Sequence, residues 1–370
     1  MEGAKEEPPI ESSNDHSTDA KRRKAEQKLA KMSLDEKIGT MIIAGVEGTN
    51  PTNKTKWMIQ DQHVGGIIFY KNNIKSQEQF VSYVNALKKW NQQNPSPLFI
   101  SIDEEGGKVS RLPGIKKIPT AMSIGEKQDL AYAQNIGTYI GNASKSMGIN
   151  MDYAPVLDIN SNPNNPVIGD RSYGTTSKQV SDVGRAVMKG IQSTGIIPVI
   201  KHFPGHGDTS IDSHLNLPIV YKSLKQLQSF EWKPFEDAIH EGADAVMVAH
   251  ILFPKMDDKY PASLSPTIIT DQLRNTIGFQ GVVITDDLTM GAISQNYKID
   301  KAAVHAVQAG SDILLIAHGY DNVSNVVSAL KTSINNGEIT EDRINESVLR
   351  ILMLKEKYNL TDQEVVPTNS

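Results

Sequence analysis

The run Lys201-His202-Phe203-Pro204-Gly205-His206-Gly207-Asp208-Thr209 follows directly on the apolar stretch Ile197-Pro198-Val199-Ile200. A strand that opens straight into an ammonium, two imidazoles and a carboxylate is placing polar chemistry at its end. Asp212-Ser213-His214 comes next, and an extended backbone puts side chains two residues apart on the same side, so this carboxylate and this imidazole can meet. Other apolar runs end in the same way. Asp103-Glu104-Glu105-Gly106-Gly107-Lys108 and Arg111 follow one; Asp158 and Gly169-Asp170-Arg171-Ser172 follow another; His250, Asp286-Asp287 and His318 follow three more.

Two chemistries use such groups. His202, His206, His214, His250 and Asp286 could supply a divalent-metal centre for hydrolysis, although Pro204 and Gly205 keep His202 and His206 off a common helix face. Glycoside cleavage needs instead one ionised carboxylate at the anomeric carbon and a proton donor on the leaving-group side. Asp286 fits the first role, and either Glu104, Glu105 or a histidine held by a carboxylate, as in Asp212-Ser213-His214, fits the second. A barrel that binds carbohydrate without cleaving it is a third reading.

These residues need a scaffold that gathers strand ends. Runs at 40–44, 66–70, 98–102, 151–156, 197–200, 245–249, 282–285 and 313–316 are apolar on both alternations, as strands covered on both faces must be. Helical patterns over 128–147, 178–194, 230–241, 266–277 and 300–308 lie between them, and Gly148, Gly195, Gly242 and Gly310 stand where helices close. Eight strands alternating with helices predict a (β/α)8 TIM-type barrel, typically ~250 residues, with chemistry at the carboxyl ends of its strands. The stretches 322–335 and 341–358 then add C-terminal helices. A doubly wound sheet is the alternative, but Ala44-Gly45-Val46-Glu47-Gly48 is a poor phosphate-binding turn.

The chain divides into a polar leader over 1–24, expected to be disordered, a catalytic domain over 25–360 and a polar tail over 361–370. A net charge of −5, from 38 basic and 43 acidic residues, argues against nucleic acid as a partner and favours a small substrate. Cysteine is absent, which removes thiolate sites and disulfides. No apolar run is long enough to cross a bilayer. The leader is compatible with a trimmed envelope tether and equally with the terminus of a cytoplasmic protein, and oligomeric state is not readable.

The segments 201–209, 212–214, 281–288 (Gly-Val-Val-Ile-Thr-Asp-Asp-Leu) and 103–111 together resemble, in order, the β-N-acetylglucosaminidases of glycoside hydrolase family 3. The resemblance runs from about Met32 to Tyr358. It implies a retaining exo-hydrolase on a (β/α)8 barrel, without metal or other cofactor, that removes terminal β-linked N-acetylglucosamine, commonly from peptidoglycan fragments. It puts the nucleophile on Asp286, the acid/base on His214 with Asp212 as its partner, and sugar contacts on Asp103, Arg111, Arg171, Lys201 and His202. Many relatives carry a further C-terminal α/β domain that this chain does not show.

The roles make physical sense. Asp286 must remain ionised although buried, which calls for compensating cations such as Lys201 or Arg111, and Asp287 should face away. An imidazole titrates near neutrality, so a histidine can lend and recover a proton with little tuning. His206 is expected to brace its own loop, and Met290 or Ile251 to border a recess for the acetamido group.

Overall fold

The structure, a computed structural model, describes residues 13–366, with side chains from residue 19 onward. Its strands are β1 (Ile42–Gly45), β2 (Gly66–Phe69), β3 (Phe99–Ile102), β4 (Met151–Asp152), β5 (Ile197–Phe203), β6 (Ala245–Val248), β7 (Val282–Thr285) and β8 (Leu314–Ile316). Each pairs in parallel with the next from β1 to β7, and β8 pairs with β1. A further parallel bridge, Ile284 to Ile313, joins β7 to β8 and closes the ring. The expected (β/α)8 barrel is therefore present, and closure disposes of the open doubly wound sheet.

Every strand residue except Gly45 is buried, which is why no strand shows a polar face in the sequence. The helices Leu130–Ser146, Ser177–Ser193, Lys233–His240 and Ile299–Ala309 lie where the patterns placed them, and the four glycines that follow have positive φ. Two strands differ from expectation. β4 stops at Asp152 because Pro155, without an N–H, cannot continue the ladder, and pairing resumes only at a Val156–Lys201 bridge. β5 runs on through Lys201 and His202 to Phe203, with a shift of register against β6 between Ile200 and Phe203. That shift keeps two polar residues inside the barrel wall.

Of the expected leader, residues 1–12 lie outside the described residues, whereas the rest begins a helix, Ser13–Leu29. The helix has no apolar stripe, so composition hid it. It docks through buried Ala25 and through Lys24 and Lys28, both ion-paired to Glu356 of the C-terminal helix Glu341–Lys357 at 2.7 Å. The tail is docked as far as it is described. Asp362 accepts from Asn91 at 2.6 Å and from the Leu98 amide at 3.1 Å, and the Val365 backbone exchanges two hydrogen bonds with Asn85.

Beneath the barrel, Lys355 is buried, donating to Gly65 O and Ser96 Oγ at 3.1 Å and lying 4.4 Å from the centre of the Phe99 ring. Burial drives its ammonium down from the ordinary 10.5 to about 7. Between these values the unfolded chain holds more protons than the folded one, so stability should rise with pH across that window. Below pH 7 the lysine is charged in both states and the cost of burying it is fully present. Lys355→Met is expected to stabilise the protein by about 1–3 kcal/mol at pH 6 and to flatten the rise. Urea denaturation at pH 6 and pH 9 checks this, and a variant less stable at both would contradict it.

Candidate active site

The carboxyl ends of the strands surround a cavity of about 420 Å³. Ile68, Tyr153, Met247 and Leu315 form its apolar inner end, and Asp103, Arg111, Arg171, Lys201, His202, His214 and Asp286 border it. All the expected site residues except Asp212 thus line one space, and Asp212 stands behind His214. Met290 lines it as well, but Ile251 does not. Ile251 is wholly buried beside the strand ends, so it is lost as a wall of the acetamido recess.

One side is an ion-pair cluster. Lys201, on β5, reaches Asp103 at 2.6 Å and Glu105 at 2.7 Å, while Arg171 holds Glu105 with two nitrogens at 2.8 and 2.7 Å. Burial disfavours a charge on Glu105, but Arg171 and Lys201 outweigh it and hold this carboxyl well below the usual range. Glu105 therefore has no proton to lend at any working pH. Glu104 is turned away from the cavity, accepting from the Arg111 and Leu112 amides at 2.7 and 3.0 Å. Neither glutamate is placed as a proton donor. Arg111 differs from the other cations in that its Nε is buried without a hydrogen-bond partner among the described residues.

The second side belongs to histidines. Buried Asp158 accepts from His202 Nδ1 at 2.6 Å and from the His206 amide at 2.7 Å. The His206 ring lies 2.9 Å from both Thr209 Oγ1 and Ser213 Oγ, and burial, then the neighbouring His202, push it down to about 4. It is a neutral brace, as expected, and what it braces is the residue between Asp212 and His214. His250 spends one ring nitrogen on Ser263 at 2.7 Å and the other on the Asp287 carbonyl at 2.9 Å. His206 and His250 thus have both ring nitrogens engaged with protein partners, whereas His202 uses only Nδ1.

Asp286 follows β7. Its Oδ1 accepts from the Asp287 amide at 2.8 Å, and Oδ2 has no hydrogen bond among the described residues. Burial raises its carboxyl pKa, yet His250 and His202, the Asp287 amide and His214 together leave it below the ordinary value. The compensation comes from imidazoles and an N–H rather than from Lys201 or Arg111, because Lys201 is committed to Asp103 and Glu105. Asp287 also borders the cavity, contrary to the expectation that it would face away. Its oxygens are occupied, however, by the Thr289 amide and hydroxyl at 2.9 and 2.6 Å and by the Ala317 amide at 2.9 Å.

At the rim, His214 Nδ1 lies 2.7 Å from Asp212 Oδ1, which also accepts the His214 amide at 2.9 Å. The His214 side chain is 61% exposed, so its other nitrogen is open to the mouth. Burial works against a charge on Asp212, but the bonds from His214 overcome it and keep the carboxylate ionised. The loop is pinned against the turn after β7, with Gly291 N donating to His214 O at 3.1 Å and Ala292 N to Ser213 O at 3.1 Å. Gly291 is required for that approach, since a Cβ there would lie 2.6 Å from His214 O.

Residues 33–354 match the Glycosyl hydrolase family 3 N terminal domain. The chain belongs to this family. Relatives of the chain include the beta-hexosaminidase A of Pseudoalteromonas piscicida, 34% identical over 338 residues that make up 85% of this chain and 56% of that protein. The beta-hexosaminidase LpqI of Mycobacterium tuberculosis is 31% identical over 88% of this chain and 84% of its own length. Among solved structures, a family 3 beta-N-acetylglucosaminidase from Paenibacillus sp. str. FPU-7 superposes with a TM-score of 0.87 at 41% identity, covering 89% of this chain and 63% of that one. The chain therefore spans little more than half the Pseudoalteromonas protein and under two thirds of the Paenibacillus one. Among the described residues, no helix is long and apolar enough to cross a membrane.

Sequence reasoning named Glu105 only as a possible proton donor and Asp158 only as a strand-end carboxylate, and missed the anchoring role of each. Glu105 anchors both Arg171 and Lys201, and Asp158 anchors both His202 and His206. The only available signal was an acidic residue at each strand end, which does not name a partner 66 or 44 residues away.

Proposed function

We propose that the protein is a retaining exo-β-N-acetylglucosaminidase acting on terminal β-linked N-acetylglucosamine, peptidoglycan-derived fragments among its substrates. Asp286 attacks the anomeric carbon and forms a glycosyl-aspartate as the aglycone oxygen leaves with a proton from His214. His214 then takes a proton from water, whose oxygen displaces Asp286, so that the anomeric configuration is retained overall. Asp212 orients the ring and supports its charged form. Asp103 accepts from sugar hydroxyls, while Arg111, Arg171, Lys201 and His202 donate to or position them.

The observation that carries this reading is the division among the carboxylates. Glu105, Asp158 and Asp287 are taken up by protein donors, and of the two cavity-wall aspartates that keep an oxygen without a hydrogen bond among the described residues, Asp103 is ion-paired to Lys201 whereas Asp286 carries no ion pair. A cavity closed at its inner end accommodates one terminal unit, which supports exo action. The decisive test is incubation with an activated fluorinated N-acetylglucosaminide in the presence of EDTA, followed by peptide mass spectrometry. One sugar on Asp286 is expected; label elsewhere, or chelator-sensitive turnover restored by zinc, would refute the assignment.

A further inference from the structure

We propose that the protein has a second ligand site at the amino end of its barrel, opposite the sugar cavity, and that this site takes a small amphipathic anion: a carboxylate on an apolar body. A cavity of about 650 Å³ lies there, between the residues that lead into β6 and β7 and the helices Ser13–Leu29 and Glu341–Lys357. Phe279, Met353 and Leu354 are prominent in its apolar surface, and Lys21, Arg350 and Lys357 supply its cations.

The charges around this cavity do not balance. Asp312, wholly buried, is shared by three guanidiniums, Arg274 at 2.5 Å, Arg350 at 3.2 Å and Arg343 at 3.8 Å, and only Arg343 comes near a second carboxylate, exposed Glu346 at 4.0 Å. Burial, and then repulsion from Arg350, work against the charges on Arg274 and Arg343 despite Asp312. Arg274 gives its other N–H groups to the carbonyls of Phe279, Gly281 and Gly310, which fixes one wall of the cavity. Arg343 gives its own to Val307 O, Ser311 O and Ser347 Oγ. Arg350 makes only the bond to Asp312 among the described residues, so it borders the cavity with donors to spare. Asp244 gives no relief, because Lys357 Nζ at 2.5 Å and the Tyr358 hydroxyl at 2.7 Å already hold it. A carboxylate entering beside Arg350 would supply the missing negative charge and accept paired N–H bonds. The apolar surface then favours an anion that brings hydrocarbon with it over a small hydrated one.

The test is calorimetric titration of the full chain with octanoate, octanamide and acetate. Octanoate is expected to bind about tenfold more tightly than octanamide, which lacks the charge, and than acetate, which lacks the body. Arg350→Gln should weaken octanoate about tenfold, the scale of one charge-assisted hydrogen bond, and leave octanamide within about twofold. Its melting temperature without ligand should not fall, since lost repulsion offsets the lost bond to Asp312. Lys21→Gln, on the other helix, should weaken octanoate about threefold and carries the same test if Arg350→Gln does not fold. Lys225→Gln, on the separate helix Leu224–Ser229, should change nothing. Equal affinity for octanoate and octanamide, or octanoate affinity unmoved by both Arg350→Gln and Lys21→Gln, overturns the proposal. So does a dimer in sedimentation that Met353→Glu dissociates, because a second copy of the chain would then occupy the cavity. None of these outcomes bears on the glycosidase reading, whose groups lie at the other end of the barrel.

Discussion

Asp286→Ala should lower kcat/KM toward an aryl N-acetylglucosaminide by about 10⁴-fold or more, the scale seen when a covalent nucleophile is removed from a machine whose parts act together. The fold should survive. Asp286 accepts one hydrogen bond, from its neighbour's amide, and carries no ion pair that other elements depend on. Its loss removes a buried negative charge near His250 and His202 rather than a structural anchor. Azide provides the sharper readout, because a small anion can enter the space vacated by the carboxylate and attack from the same face. The product would then be a glycosyl azide of inverted configuration, detectable by NMR. Asp287→Ala is the useful contrast. It removes acceptors for Thr289 and Ala317, so it should lower thermal stability, and azide should rescue nothing. Azide rescue in the Asp287 variant and not in the Asp286 variant would exchange the two assignments.

What the sequence disclosed and what it withheld have separate physical causes. Strands buried on both faces must be apolar at every position, so Ile67-Ile68-Phe69 or Val282-Val283-Ile284 announce themselves without knowledge of their partners. The barrel follows because eight such runs alternate with helices. Lys201 and His202 were read as lying beyond β5, since a lysine and a histidine ordinarily end an apolar run. They continue it only because Asp103, Glu105 and Asp158, contributed by other strands, satisfy them inside the wall. The N-terminal helix was invisible for a related reason, its partner Glu356 being more than 300 residues away along the chain. The winding of Thr267–Thr276 as a π-helix, where the pattern indicated an ordinary helix, also leaves no mark on hydrophobic spacing.

The site shows the same division. Residue types and their position at strand ends located Asp286, His214, Asp212 and the cationic group together, because the barrel converts strand ends into neighbours. Which carboxylate stays free is decided by the hydrogen bonds the others receive, and those arise from tertiary structure. Three acidic residues in a row, Asp103, Glu104 and Glu105, do different things: one faces the cavity, one ties down the loop at Arg111, and one neutralises Arg171 and Lys201. Alternation along a strand separates them into two sides but cannot supply the partners.

His214→Ala should distinguish a proton donor from a loop brace by its dependence on the leaving group. A sugar alcohol departs as a poor alkoxide unless protonated, so kcat/KM for a disaccharide is expected to fall by about 10²–10⁴-fold, the range for general acid catalysis. A nitrophenolate leaves without help, so the first step on the aryl glycoside should be nearly unaffected. The second step still lacks its base, and the glycosyl-Asp286 should accumulate. A burst of nitrophenol about equal to the enzyme concentration, followed by slow turnover that azide accelerates, is the expected trace. Disruption of the loop would behave otherwise, because Gly291 and Ala292 would lose their contacts and both substrates would suffer alike without a burst. Asp212→Asn should fall between the variant and the parent enzyme. It keeps an acceptor for His214 but removes the charge that supports the imidazolium, so the penalty should grow with the basicity of the leaving group. Equal losses on disaccharide and aryl substrate in both variants would place the proton on some other group and reduce the Asp212–His214 pair to a structural tie.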